Sequence, residues 1–157
     1  MTIGQILALA AAAMAAIVSG MGSSKGVGMA GETAAGVASE NPDVSSKLLV
    51  LQLLPATQGI YGFLIAVIVL INVGVLGGAI KAVTLEQGIA YLVACLPVAL
   101  VGYYSAIRQA KVSMAGMLMT GQRAELSGKG VTMAVMVETY AVFALLVSFL
   151  MVNAIVL

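Results

Sequence analysis

The chain is a succession of long apolar stretches with few interruptions. Four of them reach the roughly 20 residues that a helix needs to cross a bilayer core. They run from about Ile3 to Ala38, Leu48 to Leu76, Leu85 to Leu118 and Val131 to Leu157. The breaks between them are short and carry turn chemistry. "SENPDVSSK" has Asn-Pro, with Asp43 and Ser45 as a cap; "GVLGGAIKAV" has paired glycines; "TGQRAELSGKG" has glycines and mixed charge. The pattern predicts an all-α membrane protein with four transmembrane helices.

The pattern also repeats. "SGMGSSKGVGMAG" (Ser19 to Gly31) lines up with "SAIRQAKVSMAG" (Ser105 to Gly116) at its "MAG" end. "PATQGIYGFLIAVIVLIN" lines up with "VETYAVFALLVSFLMVN", so that Thr57 matches Thr139, Tyr61 matches Phe143 and Ala56 matches Glu138. The four helices are therefore expected as two duplicated hairpins, 1–78 and 79–157. Only the second has an acid in its last span.

Composition narrows the class. The 157 residues are 62% hydrophobic and 8% charged, against about 25% charged in soluble domains, and the mean hydropathy is +1.13. So few charges cannot build a water-exposed surface, and nothing points to nucleic-acid binding or disorder. The net charge of +1 carries no information about partners. With no histidine, imidazole catalysis and His-rich metal sites are excluded. The single cysteine, Cys95, cannot form an intrachain disulfide and reads as a small packing residue. No basic residue precedes Lys25, so the first stretch reads as a retained helix and not as a signal peptide. The first and third breaks carry Lys47, Arg123 and Lys129, the middle one only Lys81. That bias puts those two breaks in the cytoplasm and both termini on the other side.

The chemistry centres on Glu138, in the middle of "VTMAVMVETYAVFALLV". A carboxylate near the bilayer centre is costly, and such residues usually face a bundle interior and serve function. The plain alternative is a structural ion pair with Arg108 or Lys111. "LQLLPATQGIYG" offers more: Leu54, Thr57, Gln58 and Tyr61 stand at i, i+3, i+4 and i+7 and share one helix face. Pro55 has no N–H, so the Leu51 carbonyl loses its helical donor and a kink can expose neighbouring carbonyls. The third span adds Gln109. A carboxylate, amide oxygens, a hydroxyl and a backbone carbonyl are a hard oxygen set, without thiolate or imidazole. One carboxylate in such a set suits a monovalent cation. Otherwise Thr57 and Gln58 only hydrogen-bond between helices.

The first span reads differently. Ala16, Gly20, Ser24 and Gly28 fall at i+4 spacing, and Gly22 with Gly26 makes a GxxxG. Small residues so spaced let helices approach closely, as on the inner wall of a ring of many copies or within one four-helix bundle. "GMGSSKG" is no phosphate loop, since no strand precedes it and its lysine is misplaced. Lys25 and Glu32 read as a solvated or interfacial pair.

"LQLLPATQGIYG", "MVETYAVFALLVSFL" and "SGMGSSKGVGMAG" together resemble the duplicated proteolipid (the K or c-ring component) of rotary V-type ATPases, in the sodium-transporting branch found in bacteria. The resemblance covers essentially the whole chain. It implies a homo-oligomeric rotor ring in the lipid bilayer of a bacterial plasma membrane. The ring turns against a static membrane subunit that supplies an essential arginine. A central stalk on the cytoplasmic side links it to a separate soluble head where ATP is hydrolysed, so the chain is a non-catalytic subunit. Carried over by residue, Glu138 is the ion-carrying carboxylate, and Thr57, Gln58, Gln109 and the Leu54 backbone carbonyl are Na⁺ ligands. Tyr61 hydrogen-bonds the carboxylate, and Gly20, Gly22, Gly26 and Gly28 pack the ring. The family's carbonyl, Leu54, lies about one turn from the Leu51 carbonyl that Pro55 frees. Ala56 implies one ion per chain. The rival readings are the same rotor carrying H⁺, for which Glu138 alone suffices, and a small self-contained multidrug or cation transporter.

Overall fold

The computed structural model describes residues 1–157, all helices and turns. The elements are α1 (Ile3–Glu40), a 3₁₀ turn (Pro42–Val44), α2 (Ser45–Leu53), a second 3₁₀ turn (Leu54–Ala56), α3 (Thr57–Asn72), α4 (Leu85–Gln122), a third 3₁₀ turn (Ala124–Leu126) and α5 (Ser127–Asn153). Four stretches are long and apolar enough to cross a membrane: Ile3–Glu40, Pro42–Asn72, Leu85–Gln122 and Ala124–Asn153. At 38 residues each, α1 and α4 are about 57 Å long. They outreach the about 30 Å hydrocarbon core, so their ends stand beyond it.

The two halves are copies in detail. Thr2 and Thr84 cap α1 and α4 in the same way. Each hydroxyl accepts from a backbone N–H three residues on (Gln5 and Gln87), and that glutamine's side chain accepts from the threonine N–H. Both helices end in a 3₁₀ turn, and the next helix starts at a serine, Ser45 or Ser127. Each of these landmarks recurs 82 residues later. The "MAG" match of the sequence, Met29–Gly31 on Met114–Gly116, is three residues out of step with this frame. It is a local likeness and not a structural equivalence, because caps and helix ends fix the register.

Contacts between backbones give the packing directions. A Cβ on Gly4 would meet the Thr84 carbonyl, one on Gly22 Tyr103 Cα at 2.5 Å, one on Gly26 the Ala106 carbonyl at 2.9 Å, and one on Gly121 the Val37 side chain at 2.6 Å. Residue numbers ascend together on both helices, so α1 and α4 are parallel and glycine lets them touch. In the first hairpin Gly59 lies against Ser23 and Gly62 against Ser19 and Ala15, a descending order that makes α3 antiparallel to α1. Gly116 meets Gly130 in the same way between α4 and α5.

The core has two apolar clusters. One gathers Ala8, Ala11, Ile65, Val69, Tyr91, Cys95 and Val98, the other Ala30, Leu48, Leu51, Met117 and Ala134. Between them, by position along every helix, lies a polar layer with Ser19, Gln58, Ser105 and Gln109 fully or almost fully buried.

Helix ends depart from the sequence expectation at identifiable residues. The second span stops at Asn72, where Gly74 (φ 84°) and Gly78 (φ 78°) take left-handed conformations. The fourth stops at Asn153, short of Leu157. Asp43 and Ser45 form no side-chain cap: α2 starts from Val44, and the Ser45 hydroxyl donates to the Pro42 carbonyl at 2.6 Å. Pro97 lies inside α4 without ending it. The Val98 N–H beside it donates to the Ser148 hydroxyl of α5 at 3.1 Å.

Candidate ion-binding site

Pro55 shapes one wall. It ends α2 at Leu53 and forces the 3₁₀ turn Leu54–Ala56 before α3 begins. The Thr57 backbone N–H closes that turn on the Leu54 carbonyl, and the Thr57 hydroxyl donates to the same oxygen at 3.0 Å. Thr57 and Leu54 are thus held together, a turn away from the acid's own partners. The turn then restarts a helix whose Gln58 and Tyr61 point at α4 and α5.

Glu138, on α5, is half-buried. Its Oε1 accepts from the Tyr61 hydroxyl at 2.5 Å and its Oε2 from Gln109 Nε2 at 3.3 Å. Gln109 Nε2 also donates to the Ala134 carbonyl, one turn before the acid, at 3.2 Å. The Gln109 Oε1 accepts from Gln58 Nε2 at 2.7 Å. Three helices are thus tied through a tyrosine, two amides and one carboxylate.

The layer is buried. Gln58 and Gln109 are fully buried. Gln58 Oε1 has no hydrogen-bond partner. A buried polar atom left unpaired costs about 1–3 kcal/mol, and native structures rarely keep one without a reason. Here the orphan is an oxygen of the amide that donates to Gln109, which in turn donates to the carboxylate. Such an oxygen can accept from a donor or meet a cation. No group of three or more His, Cys, Asp or Glu exists in the chain to hold a metal. The set therefore has one formal negative charge and neutral oxygens, which fits a hard monovalent ion and not a divalent one.

Arg108 and Lys111 are both exposed and are not hydrogen-bonded to the acid, so the structural ion pair gives no account of Glu138. Ser105 is the participant that sequence reasoning missed. Its hydroxyl accepts from Gln58 Nε2 at 3.4 Å and donates to the Val137 carbonyl at 3.2 Å, bracing the backbone next to Glu138. Its place one turn before Gln109 on α4 is the signal that was available. The glycines divide into two sets. Gly22 and Gly26 face α4, whereas a Cβ on Gly20 or Gly28 would meet nothing within 4 Å.

Tyr61→Phe tests the shortest bond. A hydrogen bond to a charged group contributes about 1.5–3 kcal/mol, so its loss should free the carboxylate and speed carbodiimide modification of Glu138 about tenfold or more. An unchanged rate, followed by mass spectrometry of the modified chain, would mean that Tyr61 does not hold the acid.

Known proteins carry the same pattern. The ATP synthase C-subunit family matches residues 10–69 and again 92–151, the same 82-residue step that the helix caps show. The V-type sodium ATPase subunit K of Enterococcus hirae is 44% identical over 149 residues, 95% of this chain and 92% of the relative. The A-type ATP synthase subunit K of Methanocaldococcus jannaschii is 34% identical over 147 residues, 93% of this chain and 61% of the relative.

Proposed function

The chain belongs to the ATP synthase C-subunit family, and from that premise we propose that it is the membrane rotor-ring subunit of a V-type ATPase and that it carries Na⁺ on Glu138. The chain is an integral membrane protein with four spans. The observation that carries the reading is the buried, unpartnered oxygen of Gln58, an amide linked through Gln109 to a lone carboxylate. The name of the Enterococcus relative, a sodium ATPase component, supports the choice of ion.

In this reading an ion approaches Glu138⁻ and takes oxygens from Gln58, Gln109, Thr57 and the Leu54 carbonyl. Half a turn of either buried amide presents its oxygen in place of its NH₂ group. The Tyr61 hydroxyl stays on the carboxylate and keeps it aimed. Bound Na⁺ cancels the one charge, so the loaded site can face lipid while the ring turns. An arginine on a separate static membrane subunit then competes for the carboxylate and releases the ion. ATP is hydrolysed in a soluble head reached through a central stalk on the cytoplasmic side. The termini lie on the non-cytoplasmic side of a bacterial plasma membrane.

The first hairpin has no second carrier. At the same 82-residue step Glu138 corresponds to Ala56, Tyr61 to Phe143, Gln58 to Tyr140 and Gln109 to Val27. One chain thus carries one ion per passage.

The test is the rate at which a carbodiimide modifies Glu138 in the purified protein at fixed pH. A carbodiimide needs a protonated, reachable carboxyl group. Na⁺ should slow the reaction and K⁺ should not. A rate indifferent to Na⁺ and set by pH alone would make Glu138 a proton carrier.

A further inference from the structure

We propose that Ser105 is a positioning residue for the ion: it fixes which end of the Gln58 amide is oxygen, and so sets how well the site holds Na⁺ without setting how well Glu138 holds a proton. This rests on the reading that Gln58 gives the ion an oxygen; what it adds is the residue that orients that oxygen.

A glutamine amide has two ends of similar size, and half a turn exchanges them. Gln58 is fully buried, so the groups packed around it decide which end goes where. Its Nε2 donates to Gln109 Oε1 at 2.7 Å and to Ser105 Oγ at 3.4 Å, while its Oε1 has no partner. Ser105 and Gln109 stand one turn apart on α4. One helix therefore takes both hydrogens of the amide, and Gln58 offers an oxygen without turning.

A serine hydroxyl can accept or donate, so alone it would not tell NH₂ from oxygen. The Val137 carbonyl removes that ambiguity. Ser105 gives its one proton to this carbonyl at 3.2 Å, which leaves only lone pairs for Gln58. A lone pair attracts the NH₂ end and repels the oxygen end. After half a turn the Gln58 oxygen would face two acceptors, Ser105 Oγ and Gln109 Oε1. The influence thus runs from the α5 main chain, one residue before Glu138, through Ser105 to a side chain on α3.

A second serine holds the main chain on either side of Gln58. Ser23 Oγ accepts from the Gly59 N–H at 2.7 Å and donates to the Ala56 carbonyl at 3.4 Å. Ala56 provides α3 with no side-chain cap, and Ser23 fills that role from α1. Ser23 precedes Ser105 by the 82-residue step. The two are 7% and 6% exposed, and each donates to a carbonyl on the second span of its own hairpin. The position is a brace in both halves, and only in the second does it also receive an amide. The other hydroxyls of the layer are engaged elsewhere: Ser19 donates to the Ala15 carbonyl, Thr57 to the Leu54 carbonyl and Tyr61 to Glu138.

The experiment is carbodiimide modification of Glu138 in the full-length protein, followed against Na⁺ at fixed pH and against pH without Na⁺. Ser105→Ala should need about 3–10-fold more Na⁺ for half protection, with the pH curve unmoved, and Ser105→Thr should recover most of the loss. Combined with Gln58→Leu, Ser105→Ala should add no further shift, because the amide that it orients is gone. A further shift in the double variant would mean that Ser105 acts only by bracing α5, which overturns the proposal. Equal shifts of the Na⁺ and pH curves would also overturn it, since Ser105 would then act on the acid itself. Ser105→Cys, close in size but a weak acceptor, should move the Na⁺ curve in the same direction, and it decides the matter if Ser105→Ala loses its helical circular dichroism; an unmoved curve there refutes the proposal. Protection of the unmodified protein by Na⁺ with no change in Ser105→Ala would defeat the proposal alone. No protection of the unmodified protein would defeat the Na⁺ reading, and the proposal with it.

Discussion

Glu138→Gln abolishes sodium transport by the assembled complex and leaves the ring standing. The argument is one of charge. Glutamine has the size and planar shape of glutamate and can still accept from Tyr61, the partner at 2.5 Å, so the four-helix packing keeps its shape. What it lacks is the negative charge that cancels the ion's. Na⁺ in a neutral site would remain a bare charge in the membrane, at a cost of about 3 kcal/mol even on the lenient insertion scales. That is ~100-fold or more in occupancy, before any effect on release to a competing arginine. Transport into vesicles should fall to background, Na⁺ should no longer alter the protein's heat stability, and native mass spectrometry should still show the assembly. Normal transport by this variant would overturn the whole account. Loss of the assembly itself would recast Glu138 as a structural residue.

Much of the fold could be read along the chain because membrane helices announce themselves by length and apolarity, and Asn-Pro and glycine pairs mark the breaks, whereas the one cap expected, Asp43 with Ser45, does not form. The stripe on the second span could be read for a similar reason: i, i+3, i+4 and i+7 spacing survives a 3₁₀ turn well enough to keep Gln58 and Tyr61 on one face. Three things could not be read. The division of glycines between an internal and an outward face depends on helix rotation, which a run of small residues on every side does not specify. The role of Ser105 was hidden because a serine inside a membrane helix can equally bond back to its own helix, as Ser19 does to the Ala15 carbonyl at 2.6 Å. The repeat register was misled in its first half by "MAG", since three matching small or flexible residues weigh less than two matching capping boxes. Pro55 illustrates the limit of a backbone argument. Its missing N–H marks the Leu51 carbonyl, yet the 3₁₀ turn that it imposes gathers Thr57 onto the Leu54 carbonyl instead.

Gln58→Leu separates a sodium site from a proton site. The side chains are close in size, so α3 still packs against α4. The substitution removes the orphan oxygen and with it one neutral ligand, and it leaves Gln109 Oε1 without its 2.7 Å donor. An interaction of a neutral dipole with a charge contributes about 1.5–3 kcal/mol. Protection of Glu138 by Na⁺ should therefore need ~10–100-fold more salt. The proton has no use for Gln58: it binds Glu138 alone, and the pH dependence of carbodiimide modification without Na⁺ should hardly move. The two readings diverge at this point. A sodium carrier answers with a shifted Na⁺ curve and a fixed pH curve, because only one of its two ligands has lost a partner. If the Na⁺ curve stays where it was, Gln58 is a helix-to-helix hydrogen bond and nothing more, and the ion is held by other atoms.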